Sequence, residues 1–523
     1  MGRFVFEVPP DATSQVLDRC LHDRAYLCGI EGVPFHTEVR RDGHRLILDR
    51  RVESSARLLI PYWIDGVGYR TVATCSLRPN DDGPAGDNGA AYSLPLELAR
   101  GSCMTARTQS DLWSRGGLQL DDALVETLRR GTGHFIESAT HLHRQPPRRR
   151  ASQKSAVASI QTLQRSVDLL SHQYAVQSIA YRSRTASPIG TMVGAAAVPP
   201  HPTTGPAWAA YQSAMNCLAV RTSWADIETD SGSLHFDRVD AAMAAAAAVG
   251  MRVIAGPIVD FRQRLMPHWL YLLENDFDQL VHATVKFVDA VVRRYRGKVT
   301  LWIAASGLNT PGPLPLSDEQ AMRLTVNILQ AVRRADPAAA TVMSFDQPFG
   351  EYLADSQQGI SPMHFADAIA RSGLGLSGLG LEYRMGYTDI GTLPQSSLQI
   401  GNSIERWATL GMPLLVTLGL PGGSGLDDQA IAPSPVWNPL TNTVDEASAG
   451  TDSAAFDWDA WQLRVGGPVL RTLLAKPCVH GVLWDGWDDR VPHVHSHSGL
   501  IDAHGGDRRM LDYFRRLKSD GVI

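Results

Sequence analysis

The sequence predicts an α/β protein: a (β/α)8 TIM barrel preceded by an N-terminal β-sandwich and a helical connector. Two observations predict this. From residue 185 to residue 523, eight near-continuous apolar segments alternate with amphipathic ones, as a parallel sheet covered on its outer face requires. Over residues 1–100, short alternating segments are broken by DG, GVG and PP, a pattern of strands and tight turns.

The sandwich strands are RFVFEV, RLILDR, ARLLIPYWI and YRTVATC. Residues 101–184 form the connector, in which DDALVETLRRGTGHFIESATHLH and AVASIQTLQRSVDLLSHQYAVQSI place apolar residues three and four apart, the spacing of a helix face. Between them, residues 144–155 (RQPPRRRASQKS) combine prolines with consecutive arginines and read as a solvated linker. The barrel strands are TMVGAAAV, NCLAVRTSW, MRVIAGPIVDF, KVTLWIAASGL, ATVMSFDQ, LSGLGLEYR, PLLVTLGL and VHGVLWDGW. The alanine tract ending at Gly250 is a helix with its C-cap glycine, because alanine is the best helix former. A doubly wound open sheet is the alternative arrangement, but no G-x-G-x-x-G follows any of these strands, which weakens a dinucleotide-binding reading.

A chain of 523 residues has room for two or three domains. Its net charge of -5, with 20% charged residues, gives no field for nucleic acid or an anionic membrane. Six scattered cysteines without a C-x-x-C pair suggest reduced thiols and no zinc. The start MGRFVFEVPP lacks a secretion signal, and no apolar run reaches the ~18 residues of a membrane span. The expectation is a cytoplasmic protein without a cofactor.

Several segments, in order, resemble glycoside hydrolase family 10, the retaining barrel enzymes typified by endo-β-1,4-xylanases. WADIETDSGSLHF is similar to the family's W-x-x-I-E-x-x-x-G-x-x-x-F, IAGPIVDFRQRLMPHWL falls at its third strand, and VHGVLWDGWDD with SGLIDAHGGDRRMLDYFRRL resembles the eighth strand and terminal helix. The resemblance implies a glycan partner and two catalytic glutamates, one acid/base and one nucleophile. Laid on the family's W-D-V-V-N-E, the chain has Trp302 on the tryptophan, Ser306 on the asparagine and Gly307 on the acid/base glutamate. At strand seven, Leu418 stands at the nucleophile and Leu420 at the following aspartate. Ser223, Pro257, Glu382 and Arg384 replace a lysine, a histidine, a glutamine and a histidine. The resemblance therefore implies the fold and a sugar-binding cleft, without the family's mechanism.

Four carboxylates at expected strand ends, Asp260, Asp346, Glu382 and Asp485, are the candidates for relocated acid/base chemistry if their surroundings separate their pKa values. Asp488 lies near them. Trp302, Trp484, Trp487, Arg384 and Ser306 are the candidate sugar contacts, since indole faces stack on sugar rings. Glu382 and Arg384 are two apart on one strand, hence on one face, and form a possible ion pair. His493, His495 and His497 alternate; an extended backbone would put all three imidazoles on one face, the weak metal candidate in a chain otherwise without one. Two function classes follow: a glycan-binding barrel, hydrolytic only through rearranged carboxylates, or a scaffold that contacts a protein partner.

Overall fold

In the computed structural model, the eight apolar segments become eight parallel strands that close into a ring. The structure describes residues 2–7, 20, 22–80, 91–141, 146–185, 188–197, 206–262, 264–356, 359–387, 392–431, 436 and 456–523. The barrel strands are β1 (Met192–Ala197), β2 (Cys217–Val220), β3 (Arg252–Ala255), β4 (Leu301–Ile303), β5 (Ala340–Asp346), β6 (Gly378–Arg384), β7 (Leu414–Gly419) and β8 (Val479–Trp484). Each pairs with the next, and β8 pairs with β1 through Gly481↔Met192 to Trp484↔Ala195. Closure removes the open-sheet alternative.

Strand alternation divides the side chains between two cores. Cys217, Ala219, Ile254, Leu301, Ile303, Val342, Leu415 and Leu483 fill the barrel axis. Their neighbours in sequence, including Leu218, Val253, Trp302, Leu418 and Trp484, face the helix layer. Both faces of these strands are apolar because both are covered.

Ahead of the barrel, two four-stranded sheets pack together. One has the order 38–42, 45–50, 2–7, 92–93 and the other 34–35, 26–28, 57–64, 68–73. Phe4, Phe6, Leu46 and Leu48 of the first share a core with Leu27, Leu58, Ile60 and Tyr62 of the second. All four expected strands are present; the two- and three-residue strands are too short to show alternation.

Three helices, α1 (Leu94–Arg115), α2 (Asp122–His141) and α3 (Pro146–Thr185), join sandwich to barrel. Both expected helices are present, with a third ahead of them. The stretch beginning LPLELARG is a full helix, seated so closely that a Cβ at Gly101 would lie 1.9 Å from the Ala73 carbonyl oxygen. Residues 144 and 145 of the expected linker lie outside the described residues, and 146–155 are the first turns of α3. Small hydroxyl residues dock that end: Ser152 Oγ donates to the Ser138 carbonyl at 2.8 Å and Ser155 Oγ to Glu137 at 2.9 Å.

The sandwich is also tied to the barrel wall. Gln399 Nε2 donates to the Thr71 carbonyl at 2.9 Å, and Arg70 pairs with Asp168 of α3 at 2.9 Å. Among the described residues no helix is long and apolar enough to cross a membrane, and all six cysteines are unpaired.

Candidate active site at the barrel mouth

Register brings the expected carboxylates together. Asp346 pairs with Glu382 across β5 and β6, and Glu382 with Thr417 across β6 and β7, so the three stand at one level. Beyond β3 and β4, the short segments 259–260 and 305–306 pair in parallel and place Asp260 beside Ser306. Asp485 follows β8, its N–H donating to the Leu418 carbonyl at 2.8 Å. All four carboxylates are 2–5% exposed.

Three arginines lie among them. Arg262 Nε donates to Asp260 Oδ1 at 2.7 Å and its Nη1 to Glu382 Oε2 at 3.0 Å. Arg384 Nη1 donates to Asp346 Oδ1 at 2.8 Å, its Nη2 to Glu382 Oε2, and its Nε reaches Asp485 Oδ2 at 3.4 Å. Arg221, inward on the end of β2, lies 3.5 Å from Asp260. A guanidinium thus stands between successive carboxylates. A cavity of about 30 Å³ lies between Arg221, Arg262, Glu382, Arg384 and Asp485 and the axial side chains Ala219, Ile254, Ile303 and Leu483; at ~10–15 Å³ for each water it has room for two or three waters and not for a sugar ring.

Glu382 is saturated. Ser306 Oγ and Ser344 Oγ each donate to its Oε1 at 2.6 Å, while both guanidiniums hold Oε2. Burial opposes its ionisation, but Arg384, Arg262 and the two hydroxyls outweigh burial and hold the carboxyl well below the ordinary range. Such a group does not carry a proton at neutral pH, so it is no general acid, and its oxygens are committed, so it is no nucleophile. Asp346 goes the other way: burial pushes its carboxyl up to about 6 against the pull of Arg384 and Arg262. His495 lies 3.4 Å from Asp485, where burial and the nearby guanidiniums keep its imidazole neutral.

The positions aligned with the family glutamates hold no carboxylate and no room for one. Gly307 has φ +73, and a Cβ there would lie 3.0 Å from Arg262 Cγ. Leu418 faces the helix layer, a correction to its placing at the nucleophile position. The inward positions near the end of β7 are Thr417 and Gly419, and a Cβ on Gly419 would meet Arg384 at 3.2 Å and Asp485 at 3.3 Å.

The tryptophans named as sugar contacts lie elsewhere. Trp302 points outward, with Nε1 3.5 Å from Asp336. Trp484 donates to the Ser498 carbonyl at 2.8 Å and packs edge-on to Phe514. Trp487 packs against Tyr211, its ring centroid 4.7 Å away. All three are at most 2% exposed. Ser306 and Arg384 do reach the mouth, as partners of Glu382. Asp488 is bound by Arg490 at 2.6 Å.

The three alternating histidines do not share a face. The backbone turns after His493, His497 has φ +54, and the rings part toward Asp427, Asp485 and the Gly425 carbonyl. Instead Asp427, Asp489 and His493 converge, with one potential ligand atom from each within 4.8 Å of the others. This set does not fit a metal. His493 Nδ1 faces the Val491 carbonyl at 2.9 Å and Nε2 faces Asp427 at 2.9 Å. Both acceptors demand an N–H, so the ring is an imidazolium without a lone pair to give. Burial opposes that charge, yet Asp427 and Asp489 raise the imidazole pKa above its ordinary value. Asp489 is bound in addition by the Gly499 N–H at 2.7 Å and Arg508 at 2.6 Å.

Sequence reading missed Arg221, Arg262 and Ser344. The available signal was parity: Cys217, Ala219 and Arg221 are alternate residues, as are Val342, Ser344 and Asp346.

A comparison with solved structures finds xylanases. Xylanase 10B from Thermotoga petrophila, solved with xylobiose, is 13% identical, with a TM-score of 0.45 over 67% of this chain and 97% of that one. A GH10 xylanase from Thermobacillus composti is 16% identical, with a TM-score of 0.45 over 62% of this chain and 96% of that one. A GH10 structure from Paenibacillus barcinonensis is 17% identical, with a TM-score of 0.44 over 66% and 97%. The barrel is similar to those of family 10 xylanases. No protein-family model matches the chain, and no curated protein sequence matches it. The fold assignment rests on the closure of the eight-stranded parallel barrel itself, and likenesses at this level carry nothing about activity.

Proposed function

We propose that the xylanase-like barrel of this chain is a non-hydrolytic scaffold, whose strand ends are committed to an internal ion-pair network. The observation that carries this reading is Glu382, with one oxygen held by two serine hydroxyls and the other by two arginines. A retaining glycosidase needs a protonated acid and a free carboxylate about 5 to 5.5 Å apart with a sugar between them. Here guanidiniums occupy the gaps between carboxylates. Relocated hydrolysis through Glu382, Asp346, Asp260 or Asp485 is correspondingly disfavoured. A glycan, if it is the natural partner, meets the protein away from the barrel axis.

The test measures reducing-end release by the full chain on xylan, mixed-linkage glucan and cellulose oligomers, beside Glu382→Gln. No release by either protein is the expected result. Release by the parent that disappears in Glu382→Gln would overturn the scaffold reading.

A further inference from the structure

A cavity lies outside the barrel, where the second sandwich sheet, α1 and the barrel wall meet. Its volume is about 630 Å³, within the ~300–1,000 Å³ of small-molecule sites. The rim opens beside Ile30 and Met104, which are 83% and 60% exposed.

Its chemistry differs from that of the mouth. Its lining is largely apolar, with Phe349 giving an aromatic surface, and is interspersed with hydroxyl and amide side chains, among them Thr71, Thr105, Gln109, Gln395 and Asn402. Three of them hold polar atoms without a hydrogen-bond partner: Thr71 Oγ1, Gln109 Nε2 and Gln395 Nε2. These residues are only 1%, 9% and 4% exposed. Buried polar groups are ordinarily paired, and these three unpaired atoms all belong to side chains that line one cavity. Charge is sparse and partly engaged. Arg57 donates to the Thr74 carbonyl at 3.2 Å, and Glu31 lies close enough to Arg406 to stabilise its charge against burial.

We propose that this junction cavity binds a neutral, hydroxyl-rich small molecule of mono- to trisaccharide size. A ligand hydroxyl both donates and accepts, so it completes a threonine hydroxyl and accepts from an amide N–H₂ alike. The less polar face of such a ligand packs on Phe349. Unlike the barrel mouth, this site has room, access and unmade hydrogen bonds. It goes beyond the scaffold reading by giving the outer wall a binding role.

The full chain is titrated with xylotriose, cellotriose and myo-inositol, with glucuronate as the anionic probe, using ligand-observed NMR and thermal shift. Saturable binding of at least one neutral probe with Kd of about 1 mM or tighter is expected. Thr71→Val and Gln109→Leu should each weaken it about tenfold, and Thr71→Val should leave the melting temperature at or above the parent's because it removes only an unmade buried polar atom, whereas Gln109→Leu also gives up the 3.4 Å bond from Asn402. Met104→Trp, on an exposed rim residue, should weaken it without touching the core. Absence of saturable neutral-probe binding, preference for glucuronate, or unchanged affinity in the Thr71→Val/Gln109→Leu double variant overturns the proposal.

Discussion

Arg384→Met should unfold the protein more readily without altering any turnover. Its guanidinium touches Asp346 at 2.8 Å, Asp485 at 3.4 Å and Glu382, all buried. At an effective dielectric constant of about 20, one such contact is worth ~4 kcal/mol gross, and desolvation of the charges offsets most of the sum. Removing one partner of a buried pair leaves a net loss of ~3–5 kcal/mol. Glu382 keeps Arg262 at 3.0 Å and its two hydroxyls, so the loss falls chiefly on Asp346, which keeps the Gln347 N–H at 3.0 Å. That carboxyl already sits at about 6 and will protonate when the arginine goes. Its native pKa then lies further above the unfolded value, the native state binds the extra proton, and the variant loses stability as pH rises. The deficit should be near 4 kcal/mol at pH 8, about 4 °C in Tm for a chain of 523 residues, and smaller at pH 5. Urea denaturation followed by tryptophan fluorescence at both pH values measures it. A variant within about 1 kcal/mol of the parent, or more stable as functional-site replacements often are, refutes a structural role for the network.

Three further outcomes follow from neighbouring sites. Gly307→Glu should destabilise by roughly 2–4 kcal/mol, from the positive φ and the crowding of Arg262, and release no reducing ends from xylan; a stable, active variant would show that the mouth can reopen. Burial raises the Glu351 carboxyl to about 8, above its unfolded value near 4.3, so it favours the native state at low pH and that contribution is lost as pH rises to about 8. Glu351→Gln should accordingly be more stable than the parent at pH 9 by a few kcal/mol and close to it at pH 5, measured by urea melts. The Asp427–His493 pair carries opposite shifts: the carboxyl is lowered to about 2 and the imidazole is raised. The carboxylate contribution is present above pH ~4 and lost toward 2, while that of the imidazolium is present below ~6.5 and lost as pH rises through its folded pKa. His493→Gln should therefore cost about 2–3 kcal/mol at pH 6 and less at pH 9, and EDTA should leave the parent's Tm unchanged.

The barrel was legible because each strand is apolar on both faces, which only a covered parallel sheet demands. That same feature hid the parity of the side chains. Nothing in VTLGL distinguishes Leu418, facing the helices, from an inward residue, and Trp302 and Trp484, expected at the mouth, share the outward parity of Leu218 and Val253. The carboxylates Asp260, Asp346, Glu382 and Asp485 were located correctly at the strand ends, and the Glu382–Arg384 pair followed from their two-residue spacing. What stayed hidden was long-range. Arg262 reaches Glu382 from 120 residues away, and no local pattern encodes that meeting. The helical start of α3 was lost for the opposite reason, since local composition favoured a linker and docking on α2 overrode it.

Filling a barrel mouth with Arg221, Arg262, Arg384 and four carboxylates has a consequence for where recognition can occur. Replacing such a network by apolar residues is often neutral or stabilising, so bulk stability is a weak reason to keep it. What the network does supply is fixed geometry at the ends of β5 and β6 and the segments beside them. Glu382 is held by groups from four separate strand ends, Arg262, Ser306, Ser344 and Arg384, and a shift of any one breaks a charge-assisted bond. The loops leaving those strands carry Phe349 and Gln395 to the wall where sandwich and barrel meet. The pinned strand ends thereby fix one side of the junction cavity, while Thr71 and Gln109 fix the other from the sandwich and α1. Loosening the mouth should thus be felt at the junction: in Ser344→Ala, which deletes one bond to Glu382, ligand affinity at the cavity should fall severalfold more than the same substitution at an exposed serine such as Ser231, and equal affinities would dissociate the two sites.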